Sequence, residues 1–150
     1  MNTEIEKLGR LLATEIPLLA AMHIHISHYD GATLTLQAPL SANSNPPGTA
    51  FGGSIATLGI ACGWAWTHLW LGNAQLPNKL VIQKHSVEYL KPVKADFLAI
   101  CHAPSPDVLN DFENALRTHG KANIALDITT QSAEQLAARH QAIYAAVIRQ

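Results

Sequence analysis

At 150 residues the chain has room for one domain with a sizeable core, and no linker, repeat or second unit interrupts residues 1–150. With 48% hydrophobic and 14% charged residues it does not have the composition of a disordered chain. Ten Lys and Arg against eleven Asp and Glu give a net charge of −1, so no basic stripe is available to offset a phosphate backbone, and nucleic acid is not an expected partner.

In chain order, the first twenty residues mix Glu4, Glu6, Lys7 and Arg10 with apolar positions, unlike the basic start and apolar block of a signal peptide. Ile5, Leu8, Leu11, Leu12 and Ile16 fall at helical spacing, which predicts a helix over 3–16 closed by Pro17. Ile24 and Ile26 alternate with His23, His25 and Ser27 as in a strand. Asp30-Gly31 then signals a hairpin, and its second strand carries Ala32, Leu34, Leu36, Ala38 and Leu40. On a strand His23 and His25 share a face while His28 points the other way, and no third ligand lies at a recognisable spacing, so they are read as solvent-facing and no metal is expected.

A polar, Pro-containing loop over 41–48 leads into residues 50–71, which carry no formal charge. Length alone would admit a membrane span. The glycines at 52, 53, 59 and 63, the polar Ser54, Thr57, Thr67 and His68, and the lack of flanking basic clusters favour a buried core helix from Gly52 to about Leu71. No membrane association is expected. Cys62 and Cys101 lie in apolar surroundings and read as reduced, buried thiols of a cytoplasmic protein. Trp64, Trp66 and Trp70 read as core or interface packing.

Runs over 80–90 and 95–103, joined by Lys91-Pro92-Val93-Lys94, read as strands. A short helix is predicted over 106–117 with Val108, Leu109, Phe112 and Leu116 on one face, followed by a strand over 121–130. The alanines of 135–148 favour helix by propensity, while the position after a strand and a polar break favours a last antiparallel strand. Strand is the expectation. The sum is an α+β fold, a curved antiparallel sheet wrapped around one long apolar helix. Such a helix can be hydrophobic all round only if sheet covers one side and a partner much of the rest, which predicts a homodimer.

The candidate site is the stretch from Asn43 to Ser54, a polar loop running into glycines that open the helix. The first N–H groups of a helix lack internal partners, and its dipole places partial positive charge there. Glycines let a ligand approach that backbone. This suits a carbonyl oxygen that gains negative charge. The alternative is a loop and N-cap that only start the core helix. The spacing fits neither G-x-G-x-x-G nor a Walker loop.

Asn45 to Ser54, the helix, and Tyr89-Leu90-Lys91-Pro92 together resemble the hot-dog superfamily of acyl-thioester enzymes. More narrowly, Gly48-Thr49-Ala50-Phe51-Gly52-Gly53-Ser54 with its upstream Asn is similar to a small bacterial branch that includes malonyl-acyl-carrier-protein decarboxylases. The resemblance implies a dimer whose central helices are wrapped by two sheets. A pantetheine arm of an acyl carrier protein or coenzyme A would enter between the subunits, and no cofactor is needed.

Many hot-dog thioesterases carry a His before the paired glycines and an acid further along the helix. Here Phe51 takes the first place, and 52–71 contains no Asp or Glu. Hydrolysis needs an activated water. Decarboxylation of a malonyl thioester mainly needs donors to its carbonyl, each worth about 10²–10³ in rate.

The expected catalytic residues are Asn45, through its amide, and Gly53 or Gly52, through backbone N–H. Thr49 and Ser54 would bind the acyl carboxylate or fix the loop. Phe51, His85 and Tyr89 would line the substrate channel, and Glu88 could bring a carboxylate from the other subunit. Lys79, Lys84, Lys91, Lys94 and Lys121 are either ordinary surface residues or a rim for an acidic carrier. The expected activity is a malonyl-thioester decarboxylase yielding an acetyl thioester, with a role in fatty acid synthesis that rests on the resemblance alone. An acyl-CoA or acyl-carrier thioesterase and a non-catalytic acyl-thioester-binding dimer are the alternatives.

Overall fold

The structure, a computed structural model, describes residues 3–46 and 48–148. Helix α1 (Thr3–Thr14) buries Ile5, Leu8 and Leu12, and it ends two residues earlier than its apolar spacing predicts. Pro17 does not simply close that run. It stands at the first position of a second short helix, α2 (Pro17–Ala21), where a missing N–H costs nothing. Strands β1 (His25–Tyr29) and β2 (Thr33–Ala38) form the expected hairpin, and Asp30 Oδ1 accepts from the N–H groups of Ala32 and Thr33 at its tip.

The uncharged segment is one helix, α3 (Gly52–Asn73). No helix among the described residues is long and apolar enough to cross a membrane. There follow β3 (Asn78–Tyr89), β4 (Phe97–His102), α4 (Pro106–His119), β5 (Lys121–Ser132) and β6 (Gln135–Ile148). Helix α4 starts on Ser105, whose hydroxyl accepts from Val108 N, and stops at Gly120 in the left-handed conformation. The alanine-rich last segment is a strand, paired along its length with β5 on one side and β3 on the other.

All six strands join one antiparallel sheet in the order β1-β2-β4-β5-β6-β3. Helix α3 packs across β2 to β6, which is the wrapped arrangement expected from the sequence. The core lies between them, with Leu34, Leu36, Leu58, Cys62, Phe97, Ile124 and Tyr144 almost wholly buried. Cys62 and Cys101 are free and buried. Trp66 donates from its ring nitrogen to Ala32 O, and Trp70 tilts against Phe112.

Two glycines set how closely α3 approaches β6. A Cβ at Gly59 would strike the His140 ring, and one at Gly63 would strike the Tyr144 hydroxyl. That hydroxyl donates to Ile60 O at 2.7 Å. A neighbouring stripe of α3 is less covered: Ala56, Ile60, Trp64 and His68, four residues apart, are only half-buried. The sheet also ends in β3, a twelve-residue edge strand.

Candidate functional site

The loop before α3 is held by its own polar side chains. Asn43 is 3% exposed, and its Nδ2 donates to Met22 O at 3.0 Å and Pro39 O at 2.8 Å. Its carbonyl accepts from Phe51 N at 2.7 Å, closing the loop on itself beside the Ser44–Ala50 bridge. Ala50 N donates to Val93 O at 2.8 Å, which ties the segment after β3 to the loop.

Within this frame Asn45 is oriented by Thr49. Asn45 N donates to Thr49 O at 2.8 Å, and the Thr49 hydroxyl donates to Asn45 Oδ1 at 3.0 Å. The amide oxygen is therefore occupied. The half-buried Nδ2 has no acceptor among the described residues and is left as a donor.

Helix α3 starts at Phe51 without a side-chain cap. Ser54 N and Ile55 N both bond to Phe51 O, while the N–H groups of Gly52 and Gly53 have no acceptor among the described residues. Two aromatic rings frame them. The Tyr89 hydroxyl donates to Gly52 O at 2.8 Å, and the Phe51 ring lies so close over Gly53 that a Cβ there would be 2.5 Å from it. Both rings are exposed, Phe51 by 56% and Tyr89 by 51%. The Gly-Gly pair thus leaves room for its neighbours' rings. No Asp or Glu occurs anywhere in α3.

Asn45, Thr49, Phe51, Gly52, Gly53, Ser54 and Tyr89 are therefore gathered at one end of α3. Glu88 lies on the other face of β3, exposed and 3.7 Å from Arg139, so within one chain it does not join them. His85 shares the inward row of β3 with Val87 and Tyr89 but is bonded to His140. Lys91 and Lys94 stand exposed beside the loop, whereas Lys79 and Lys121 flank Val147 at the far end of β3 and β5. A cleft of about 700 Å³ lined by Glu4, His28, Tyr29, Asp30 and Asn73 sits at the opposite end of α3 and has no such donor set. No group of three metal-ligating side chains occurs among the described residues.

Sequence reasoning missed Asn43 as the strut of the loop; its polar type was visible, its burial was not. It also missed His140, which meets His85 from β6, and Thr130, which bonds the other side of the His140 ring from β5.

A family match spans residues 5–148, to YiiD_C, described as "Putative thioesterase". The chain belongs to this family. A solved structure of a protein of unknown function from Chlorobaculum tepidum is 27% identical, with a TM-score of 0.92 over 99% of this chain and 100% of that one. A putative thioesterase from Shewanella oneidensis superposes with a TM-score of 0.85 at 23% identity, covering 98% of this chain and 99% of that one. A Pseudomonas aeruginosa protein described as a probable thioesterase gives 0.83 at 17% identity, over 96% and 95%. The last two bear on the fold alone, and with them the hot-dog architecture of the YiiD_C chain is established.

Proposed function

We propose that the chain acts on an acyl thioester whose carbonyl oxygen is received by Asn45 Nδ2 and the free N–H groups of Gly52 and Gly53. The observation that carries this is the Thr49–Asn45 hydrogen bond, which occupies the amide oxygen and leaves the amide N–H₂ as an oriented donor beside a helix N-terminus. Hydrolysis of the thioester is the outcome that the family description favours. It requires an activated water, which no carboxylate of α3 supplies, so a carboxylate or imidazole brought by a second subunit would have to do so.

A second reading is favoured by one specific feature, the absence of any acid in α3. Carbonyl donors without a base suit decarboxylation of a malonyl thioester, where the departing carbon dioxide leaves an enolate on that carbonyl. In both readings the arm of a carrier protein or coenzyme A carries the acyl group, and the protein works as a homodimer. Support for the dimer comes from the β3 edge of the sheet and the half-covered Ile60–Trp64–His68 stripe of α3.

The test is mass spectrometry of products from malonyl-carrier protein and a panel of acyl-coenzyme A thioesters. A free thiol reports hydrolysis, an acetyl carrier reports decarboxylation, and untouched but bound substrate reports a binding protein. Asn45→Ala is expected to lower kcat by about 10²–10³ with little change in melting temperature. Turnover unchanged by that substitution would remove Asn45 from the mechanism.

A further inference from the structure

Thr130 on β5, His140 on β6 and His85 on β3 form a hydrogen-bonded row across three adjacent strands. Thr130 Oγ1 lies 2.7 Å from His140 Nε2, and His140 Nδ1 lies 3.0 Å from His85 Nε2. Thr130 and His140 are fully buried and His85 is half-buried. Helix α3 covers the His140 ring at Gly59, where there is no space even for a Cβ. Ala138 and Ala142 flank His140 on the same side of β6, and the small Ala142 lets His85, its partner in register, reach diagonally to the neighbouring imidazole. Burial, with His85 adding to it, pulls the His140 pKa down to about 4, so the pair is neutral at pH 7.

A neutral imidazole offers one N–H and one lone pair, which gives the row a direction. Thr130 Oγ1 has no partner but His140 among the described residues. Were His140 protonated at Nε2, the buried hydroxyl hydrogen would face no acceptor, a costly arrangement. The hydroxyl therefore donates to Nε2. His140 then carries its proton on Nδ1 and donates to His85 Nε2. His85 must in turn carry its proton on Nδ1, which has no partner among the described residues.

We propose that Thr130 and His140 are positioning residues that hold His85 in its Nδ1–H tautomer, and that this N–H binds an oxygen on the acyl tail of the substrate. The proposal rests on the acyl-thioester reading in its hydrolytic form. Tyr89, on the same inward row of β3, marks the end of α3 where the carbonyl is received. Four residues of strand separate it from His85, roughly 13 Å along the chain. His85 therefore meets the tail of an acyl group and not its carbonyl. A tail bearing a hydroxyl or carboxylate there satisfies the donor, whereas a plain alkyl tail buries it unpaired and is rejected.

Ring ¹⁵N shifts at pH 7.5 read the tautomers directly. Protonation at Nδ1 of both His85 and His140 is expected, lost in Thr130→Val and restored in Thr130→Ser. Wild-type His85 protonated at Nε2 would overturn the proposal. The second arm compares kcat/KM for coenzyme A thioesters of plain and ω-hydroxy fatty acids from six to twelve carbons. A preference of ten-fold or more for the hydroxylated member is expected, peaking at one chain length, abolished by His85→Phe and partly kept by His85→Gln. A wild type without preference, or His85→Phe slowing both series equally, would overturn the donor role. If wild type turns over no acyl thioester at all, the acyl-thioester reading fails and the donor role with it, whatever the tautomers.

Discussion

Gly59 and Gly63 stand about one turn apart on the side of α3 that faces β6, each opposite a large inward side chain of that strand. Their role is in packing, since the missing Cβ admits the His140 ring at one and the Tyr144 hydroxyl at the other. The neighbouring atoms are ring atoms of fully buried side chains, so they have nowhere to retreat. Gly63→Ala is expected to cost about 2–4 kcal/mol, from overpacking and from loss of the Tyr144–Ile60 hydrogen bond. Gly9, inside α1 with nothing within 4 Å of its Cβ position, supplies the control. Gly9→Ala should stabilise by about 1 kcal/mol through helix propensity. Urea denaturation of the two variants measures both, and equal effects of the same sign would refute the packing account.

At the scale of the elements, the β5–β6 hairpin carries an unusual turn. Ala133 and Glu134, the two residues between the strands, have φ of 50° and 62°. A two-residue turn with positive φ at both positions suits the twist of a hairpin but is normally filled by asparagine and glycine. Both residues are exposed, so the turn is imposed by the long strands on either side. The double substitution Ala133→Asn/Glu134→Gly should stabilise by about 1 kcal/mol. A melting temperature unchanged or lowered would count against it. The same turn shows why sequence reading succeeds or fails here. No glycine or asparagine marks Ala133-Glu134, yet β6 was legible from its place after a strand and a short polar break. Its alanines had pointed to helix because their real task, leaving room beside His140 and Tyr144, depends on α3. The gathering of Asn45, Thr49 and the two glycines in one loop was legible because they lie within ten residues of one another. The Thr130–His140–His85 row was not, because it brings together three strands whose register only the folded sheet determines. Pro17 misled for a local reason: it can open a helix as readily as it ends one.

For the molecule as a whole, the buried titratable groups set a window of stability. His140 is neutral in the fold, with a pKa of about 4 against an ordinary 6.5, because burial and the adjacent His85 oppose its charge. The unfolded chain therefore binds more protons between these values, and stability falls as pH is lowered through 6.5 toward 4. It is fully present only above the unfolded pKa. The difference amounts to about 3 kcal/mol for this one residue. His85 is lowered by burial as well and acts with the same sign. Asp30, held at about 2 by the N–H groups of Thr33 and Ala32, is exposed and contributes little, and its contribution is lost only below 3.8. On the alkaline side burial raises Tyr144 and pushes Cys101 up to about 12, so above roughly pH 9 to 10 the unfolded chain releases protons that the fold retains. Stability should therefore fall on both sides of a plateau between about pH 7 and 9. Urea midpoints from about pH 4.5 to 10 trace this profile. His140→Gln, which can still accept from Thr130 and donate to His85, should flatten the acid limb and leave the alkaline one. An acid limb of equal slope in that variant would place the titrating group elsewhere in the molecule.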